Sequence, residues 1–244
     1  MTMTTTTDGD VSLVRHSGAS DGSHLLRALA VEPRAVIYDL ADVVADPATI
    51  RSTFDTLEDY LADWPTTPVL VSVGQGASRK ALQRHPVRRR VTSWFGTAPA
   101  MAAADRLPPV RRTVLYLEPG LKAPRLARDF VRQNALLPPG AALLETAILL
   151  VSELVTNSVQ HAAGPIMVSV SRSRATDPRP VAVRIGVHDG DNGQPVLSLG
   201  SRDLDHGRGL WHVDSLSRSW GTIPLEQGKV VWTVVDGNDR PMTW

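Results

Sequence analysis

One segment constrains this chain more than any other. Residues Ala141–Ala162 follow the sharp Pro138-Pro139-Gly140 loop and read as a single long helix. Leu150, Val151 and Leu154 fall on a packing side, whereas Glu153, Thr156, Asn157 and Gln160 fall on a polar stripe. Glu145 and Glu153 interrupt the apolar run, so it falls short of the ~18 residues that suggest a membrane span. Glu153 and Asn157 are four residues apart and project from one face, one turn from each other. A polar stripe alone is also what any amphipathic helix shows, so its meaning depends on what else lies nearby.

The segments around the helix suggest two domains. The 244 residues suit two domains of ~100–150 residues each. Residues 1–22 are rich in Gly, Ser, Asp and Thr and read as a flexible arm, with one short strand around Val11–Val14. Ala35–Leu40 and Val69–Val73 are β-branched strand runs. Between them, Ile50, Phe54, Leu57 and Leu61 mark a helix over Ala48–Ala62, opened by Pro47 and closed by Pro65. Gly74-Gln75-Gly76-Ala77-Ser78 turns into a helix at Arg79–His85. This strand–helix–strand–helix order predicts a small α/β domain with parallel pairing over residues 23–106. Ala98–Pro109 begins as a short helix, and the boundary falls near Arg106–Arg111.

Over residues 107–240 the pattern changes. Thr113–Leu117 reads as a strand and Pro124–Gln133 as a helix with proline in its first turn. After the long helix come strands at Ile166–Arg172 and Val181–His188. A Gly- and Asp-rich loop leads to a helix near Gly209–Ser217, and a last strand spans Val230–Val235. This predicts an α/β half in two layers, with helices on one face of a mainly antiparallel sheet. Trp220-Gly221 reads as an aromatic packed at a turn, and Gly228–Trp232 as a core strand.

Composition narrows the chemistry. The chain has no cysteine, which excludes disulfides, thiolate catalysis and zinc–cysteine sites. A formal net charge of +1 gives no global electrostatic case for nucleic-acid or membrane binding. The basic cluster Arg84–Arg90 reads as charged surface. His161, His188, His206 and His212 lack a metal-ligand spacing. Met1–Asp10 has neither the basic nor the apolar region of a signal peptide, so the expected location is cytoplasmic.

Several candidate residues carry a chemistry. Magnesium takes hard oxygen ligands and keeps several waters, so an asparagine carbonyl can be one ligand while a triphosphate supplies others. A nearby carboxylate can accept the proton of an attacking hydroxyl or water. Phosphoryl transfer asks the protein for little beyond positioning and charge neutralisation. Asn157 fits the first role and Glu153 the second. Asp189, at the end of a buried strand, can accept a hydrogen bond from an adenine amino group. Asp191 competes for that role, because Asp191-Asn192-Gly193 also fits an Asp-x-Gly pattern, and Asp-Gly-Asp-Asn-Gly is turn chemistry in itself. Strand phase favours Asp189. Gly207-Arg208-Gly209 lets backbone approach phosphates, and the helix after it presents free N–H groups. Arg208 either reaches a γ-phosphate or is solvated.

In their order and separation, Glu153…Asn157, Asp189, Gly207-Arg208-Gly209-Leu210 and Gly228-Lys229-Val230-Val231-Trp232 resemble the GHKL superfamily, and within it the anti-sigma factor serine/threonine kinases. The resemblance spans about residues 107–237. It implies a Bergerat-type ATP fold that binds ATP and Mg²⁺, with Glu153 as catalytic base and Asn157 at the metal. It further implies Asp189 and Gly193 at the base, and Gly207, Arg208, Gly209 and Leu210 in an ATP lid. Two positions depart from the pattern: Asp191 stands where a glycine is usual, and Val230 where a hydroxyl residue is usual. No phosphoacceptor-histidine domain is evident, so phosphate would pass directly to a protein hydroxyl, or not at all.

The N-terminal half is similar, more faintly, to a STAS domain, the fold of anti-sigma-factor antagonists. Its usual Asp-Ser-x-Gly turn is missing, and Ala45-Asp46-Pro47-Ala48 lies about there. The resemblances together imply a serine/threonine kinase that regulates transcription through a STAS antagonist, a sigma factor, or both, in a family that often forms homodimers. Two other functions fit the same residues: a non-catalytic ATP-binding module that sequesters a partner, and a nucleotide-free scaffold.

Overall fold

The computed structural model describes residues 4–8, 11–15, 23–42, 47–64, 66–107, 112–161, 164–173, 181–193 and 208–237. The chain divides into two compact units, Met1–Val110 and Arg111–Trp244.

The first unit holds a five-stranded sheet in the order β1 (Thr4–Asp8), β2 (Val11–Arg15), β3 (Ala35–Leu40), β4 (Val69–Val73) and β5 (Thr92–Phe95). β1 and β2 are antiparallel, and β2 through β5 run parallel. Within residues 1–22 the strand expected around Val11–Val14 is present as Val11–Arg15, which pairs with β3 from Val11↔Ala35 to Arg15↔Asp39, and Thr4–Asp8 is a further strand where an arm was expected. β3 and β4 are buried at every position, as central parallel strands should be, which explains their largely apolar sequences. β5 is an edge strand, mostly exposed, with little apolar signature.

Four helices belong to this unit: α1 (Ser23–Ala30), α2 (Pro47–Asp63), α3 (Ala77–Arg84) and α4 (Thr97–Ala104). The α2 residues Ile50, Phe54, Leu57 and Leu61 are buried, as their helical spacing requires. Ala100 and Ala104 of α4 pack with Val11, Ala35, Ile37 and Leu70, their small side chains letting the helix lie close to the sheet. Asp39, buried at the end of β3, accepts from the Thr97 hydroxyl at 2.7 Å and the Ala41 N–H at 3.1 Å. Residues 45 and 46 of the Ala45-Asp46-Pro47-Ala48 stretch lie outside the described residues, while Pro47 and Ala48 open α2.

The second unit holds a sheet in the order β6 (Arg112–Leu117), β7 (Ile166–Arg172), β8 (Ala182–Asp189), β10 (Lys229–Asp236) and β9 (Ser219–Pro224), antiparallel throughout. Its helices are α5 (Ala123–Asn134), α6 (Ala142–His161) and α7 (Arg208–Leu216). α6 lies between α5 and α7 and packs on β8 and β10. Its Leu144, Ala147, Leu150, Val151, Leu154 and Val155 form the core with Val168, Val170, Val183, Ile185, Val187 and Val231. α6 is long and apolar enough to cross a membrane, but that apolar surface is spent on this core. The opposite sheet face is also withdrawn from solvent, with Ser169, Arg184, Val230, Trp232 and Val234 all buried.

Trp220-Gly221 lies within β9 rather than at a turn. Gly221 sits opposite Trp232, where a Cβ would stand 3.0 Å from the indole ring, so any larger residue would have to push the ring aside. Both units therefore join helices to a sheet, one largely parallel and one antiparallel.

Leu154 is the best single probe of the second core, since it is 2% exposed at the centre of α6. Leu154→Ala is expected to cost about 3 kcal/mol, the usual range for a buried leucine truncation. Urea unfolding followed by far-UV circular dichroism measures it.

Candidate functional site

α6 fixes the site by its rotation. With Leu150, Val151, Leu154 and Val155 buried, Glu153, Thr156 and Asn157 are left half-buried and Gln160 exposed. Thr156 turns its hydroxyl back to the Ser152 carbonyl at 2.7 Å, a local bond that keeps it within its own helix. Glu153 Oε1 lies 3.6 Å from Nδ1 of His212, one face of α6 meeting α7.

Ser158, next to Asn157, leaves the helix about 100° further round. It is buried and donates to Asp189 Oδ2 at 2.6 Å. That hydrogen bond ties the end of β8 to the last turn of α6. The other oxygen of Asp189, Oδ1, accepts from the Asp191 N–H at 3.2 Å and lies 3.1 Å from Lys229 Nζ. Lys229 Nζ also donates to Asp191 Oδ2 at 2.7 Å and to the Asp191 carbonyl at 3.1 Å. Side-chain exposure is 2% for Asp189 and 8% for Lys229, but 33% for Asp191, so the buried charge pair is Asp189–Lys229. The Lys229 hydrogen bond holds the Asp191 carboxyl below the usual carboxylate range, and the Gly193 N–H adds to the effect.

Local chain geometry makes this cluster possible. Lys229 pairs with Asp189 across β10 and β8, on the sheet face that carries the helices. Just before it, Gly228 has φ +79°, and a Cβ there would fall 1.8 Å from the Asp189 carbonyl oxygen. Only glycine permits that approach. Its N–H donates to Asn192 Oδ1 at 2.9 Å, which fastens the loop after β8 to the start of β10. Gly193 donates to Asp191 Oδ1 at 3.0 Å and so completes an Asp-initiated turn.

Of the residues singled out in the sequence, Asp189 and Asp191 thus meet at one cation, Glu153 faces α7, and Asn157 stands half-buried beside Ser158. Arg208, Gly209 and Leu210 lie in the first turn of α7, and Leu210 is buried. Gly207 lies outside the described residues. Two residues were assigned no role of their own from the sequence, Lys229 having stood only within the Gly228–Trp232 segment. Ser158 is a lone hydroxyl at a helix position that the apolar periodicity assigns to the core. Lys229, one of only three lysines in the chain, opens an otherwise apolar strand.

The donor set bears on a magnesium nucleotide in two ways. Asn157 offers one partly accessible amide oxygen, which suits a cation that keeps waters and phosphate oxygens. Among the described residues, no group of three His, Asp or Glu side chains could hold a metal ion on its own. The base end is less open, because Lys229 already engages the Asp189 carboxylate. No protein-family model matches the chain, and no curated protein matches it.

His188 precedes Asp189 and points to the sheet face away from α6. Burial pushes its imidazole down to about 3 from 6.5, and the charges of Arg112 and Arg184 push in the same direction. It is therefore neutral at physiological pH and unsuited to proton transfer there. Because the folded value lies below the unfolded one, His188 favours folding above pH 6.5. That contribution is lost as pH falls from 6.5 towards 3. Between pH 7 and pH 4.5 the wild type should lose about 2 kcal/mol more than His188→Gln, read from paired urea titrations.

Proposed function

We propose that the second unit is a GHKL-like, Bergerat-type ATP-binding module of the anti-sigma serine/threonine kinase kind. The first unit is proposed to be a degenerate STAS-like docking domain. The observation that carries this reading is the buried Asp189, held at the end of β8 by Ser158 of α6, beside Asn157 and one turn beyond Glu153. Three elements, α6, the β8 end and the start of α7, contribute the residues that the sequence pattern assigns to one ligand.

In this reading Asn157 holds the magnesium, Asp189 faces the adenine, and Arg208-Gly209 lie at the phosphates. Bound Mg-ATP would supply the phosphoryl group. Glu153 accepts the proton of an incoming protein hydroxyl, and His212 orients that carboxylate from α7. The resemblance points to a serine or threonine of a STAS antagonist as the acceptor, acting in the cytoplasm, and a sigma factor as the regulated partner.

A specific observation favours a second reading. Lys229 engages the carboxylate that adenine would use, and Asp191 contributes to holding it there. Such a site suits a module that binds nucleotide weakly and acts by sequestering a partner, without transfer.

The two readings part on substitution. Asn157→Ala should abolish Mg-ATP binding by calorimetry. Glu153→Ala should retain binding but lower label transfer from ATP to a STAS protein at least about 100-fold, the usual share of a general base. Wild-type binding without any transfer would establish the sequestration reading, and transfer unchanged in Glu153→Ala would remove the base assignment.

A further inference from the structure

The hydrogen bonds around Lys229 can be counted. An ammonium has three N–H donors and no acceptor. Here it has three oxygen partners: Asp189 Oδ1 at 3.1 Å, Asp191 Oδ2 at 2.7 Å and the Asp191 carbonyl at 3.1 Å. Two donors are thus engaged by Asp191, and the ammonium forms an ion pair with Asp189. The Asp189 carboxylate is well occupied. Its Oδ1 takes the Asp191 N–H and the ammonium, and its Oδ2 takes the Ser158 hydroxyl.

An exocyclic amino group is a neutral donor. To reach Asp189 Oδ1 it would have to displace the ammonium from a buried ion pair, exchanging a full charge for a neutral donor. Moving the ammonium away would also leave the Asp189 carboxylate, only 2% exposed, without its counter-charge. Leaving a buried charge without its partner is strongly unfavourable. The exchange therefore runs against the base.

We infer that Lys229 is the specificity-determining residue of the nucleotide site, an internal cation that occupies the adenine-reading carboxylate and prevents the site from reading the purine 6-amino group. This rests on the nucleotide reading of the same site. With Lys229 seated, affinity comes from the ribose, phosphates and magnesium, and the base adds little selectivity. The neighbours of Lys229 hold it on every side. Asp191 is fastened by Gly193, and the β10 entry is pinned through Gly228 to Asn192.

The test uses the full chain and calorimetry with two probes, Mg-ATP and magnesium purine-riboside triphosphate, which lacks the 6-amino group. In the wild type the two should bind within about threefold of each other. In Lys229→Met the freed Asp189 can accept the amino group, so ATP should be preferred by about tenfold or more, the equivalent of one good hydrogen bond. Lys229→Arg keeps the cation and should behave as the wild type. A wild type that already prefers ATP tenfold overturns the inference and leaves the nucleotide reading standing. So does a folded Lys229→Met with no gain in preference. Absence of triphosphate binding in both wild type and Lys229→Met overturns both. If Lys229→Met does not fold, the wild-type ratio alone decides.

Discussion

The burial of one helix governs the second unit. α6 has to place Leu150, Val151, Leu154 and Val155 against β8 and β10, and no other rotation satisfies that many apolar contacts. Once the rotation is set, every polar residue on α6 has a fixed direction. Glu153 meets α7, Asn157 is left partly accessible, and Ser158 reaches Asp189. The site is a by-product of packing in this sense: nothing in it needs its own scaffold. A rigid secondary element is also the better support for a constellation that has to be accurate to fractions of an ångström.

The Asp189–Lys229 pair is the second constraint, and it works differently. Buried ion pairs add little net stability, because desolvation offsets the attraction. What they add is geometry: Lys229 can keep its two hydrogen bonds to Asp191 and its ion pair with Asp189 only if both residues stand where they do. The pair brings the loop after β8 and the start of β10 into one arrangement. It also leaves the Asp189 carboxylate partnered from within the fold, by Lys229, Ser158 and the Asp191 N–H.

The elements that could be read from the sequence are those with a dense apolar pattern. Ala35–Leu40, Val69–Val73 and Ile166–Arg172 are strands over those same residues, because interior strands bury most of both faces and are rich in apolar, β-branched side chains. The α2 helix was visible through Ile50, Phe54, Leu57 and Leu61. β1, β5 and β9 were not read as strands. β1 is nearly all threonine, β5 is largely exposed, and β9 is half-buried and carries Gly221 for the sake of Trp232. Their pairing is decided by neighbours far along the chain and leaves no local trace. The site shows the same division. Glu153 and Asn157 share a helix and were paired by spacing alone. Lys229 and Asp191 are 38 residues apart, and Ser158 and Asp189 are 31 apart, so only the folded sheet reveals them as partners.

Strand order in the second sheet has a consequence for how the unit is assembled. β10 is central, between β8 and β9, yet it comes after every other strand of that sheet in the chain. Until it inserts, β8 lacks one of its two neighbours, and Asp189 stands without its cation. A nascent chain emerging from the ribosome thus carries an open slot beside β8 and an unpaired carboxylate until residues 229–236 are released. The unit can complete its hydrogen-bond ladder and its charge pairing only in that last step, so both should appear together and late.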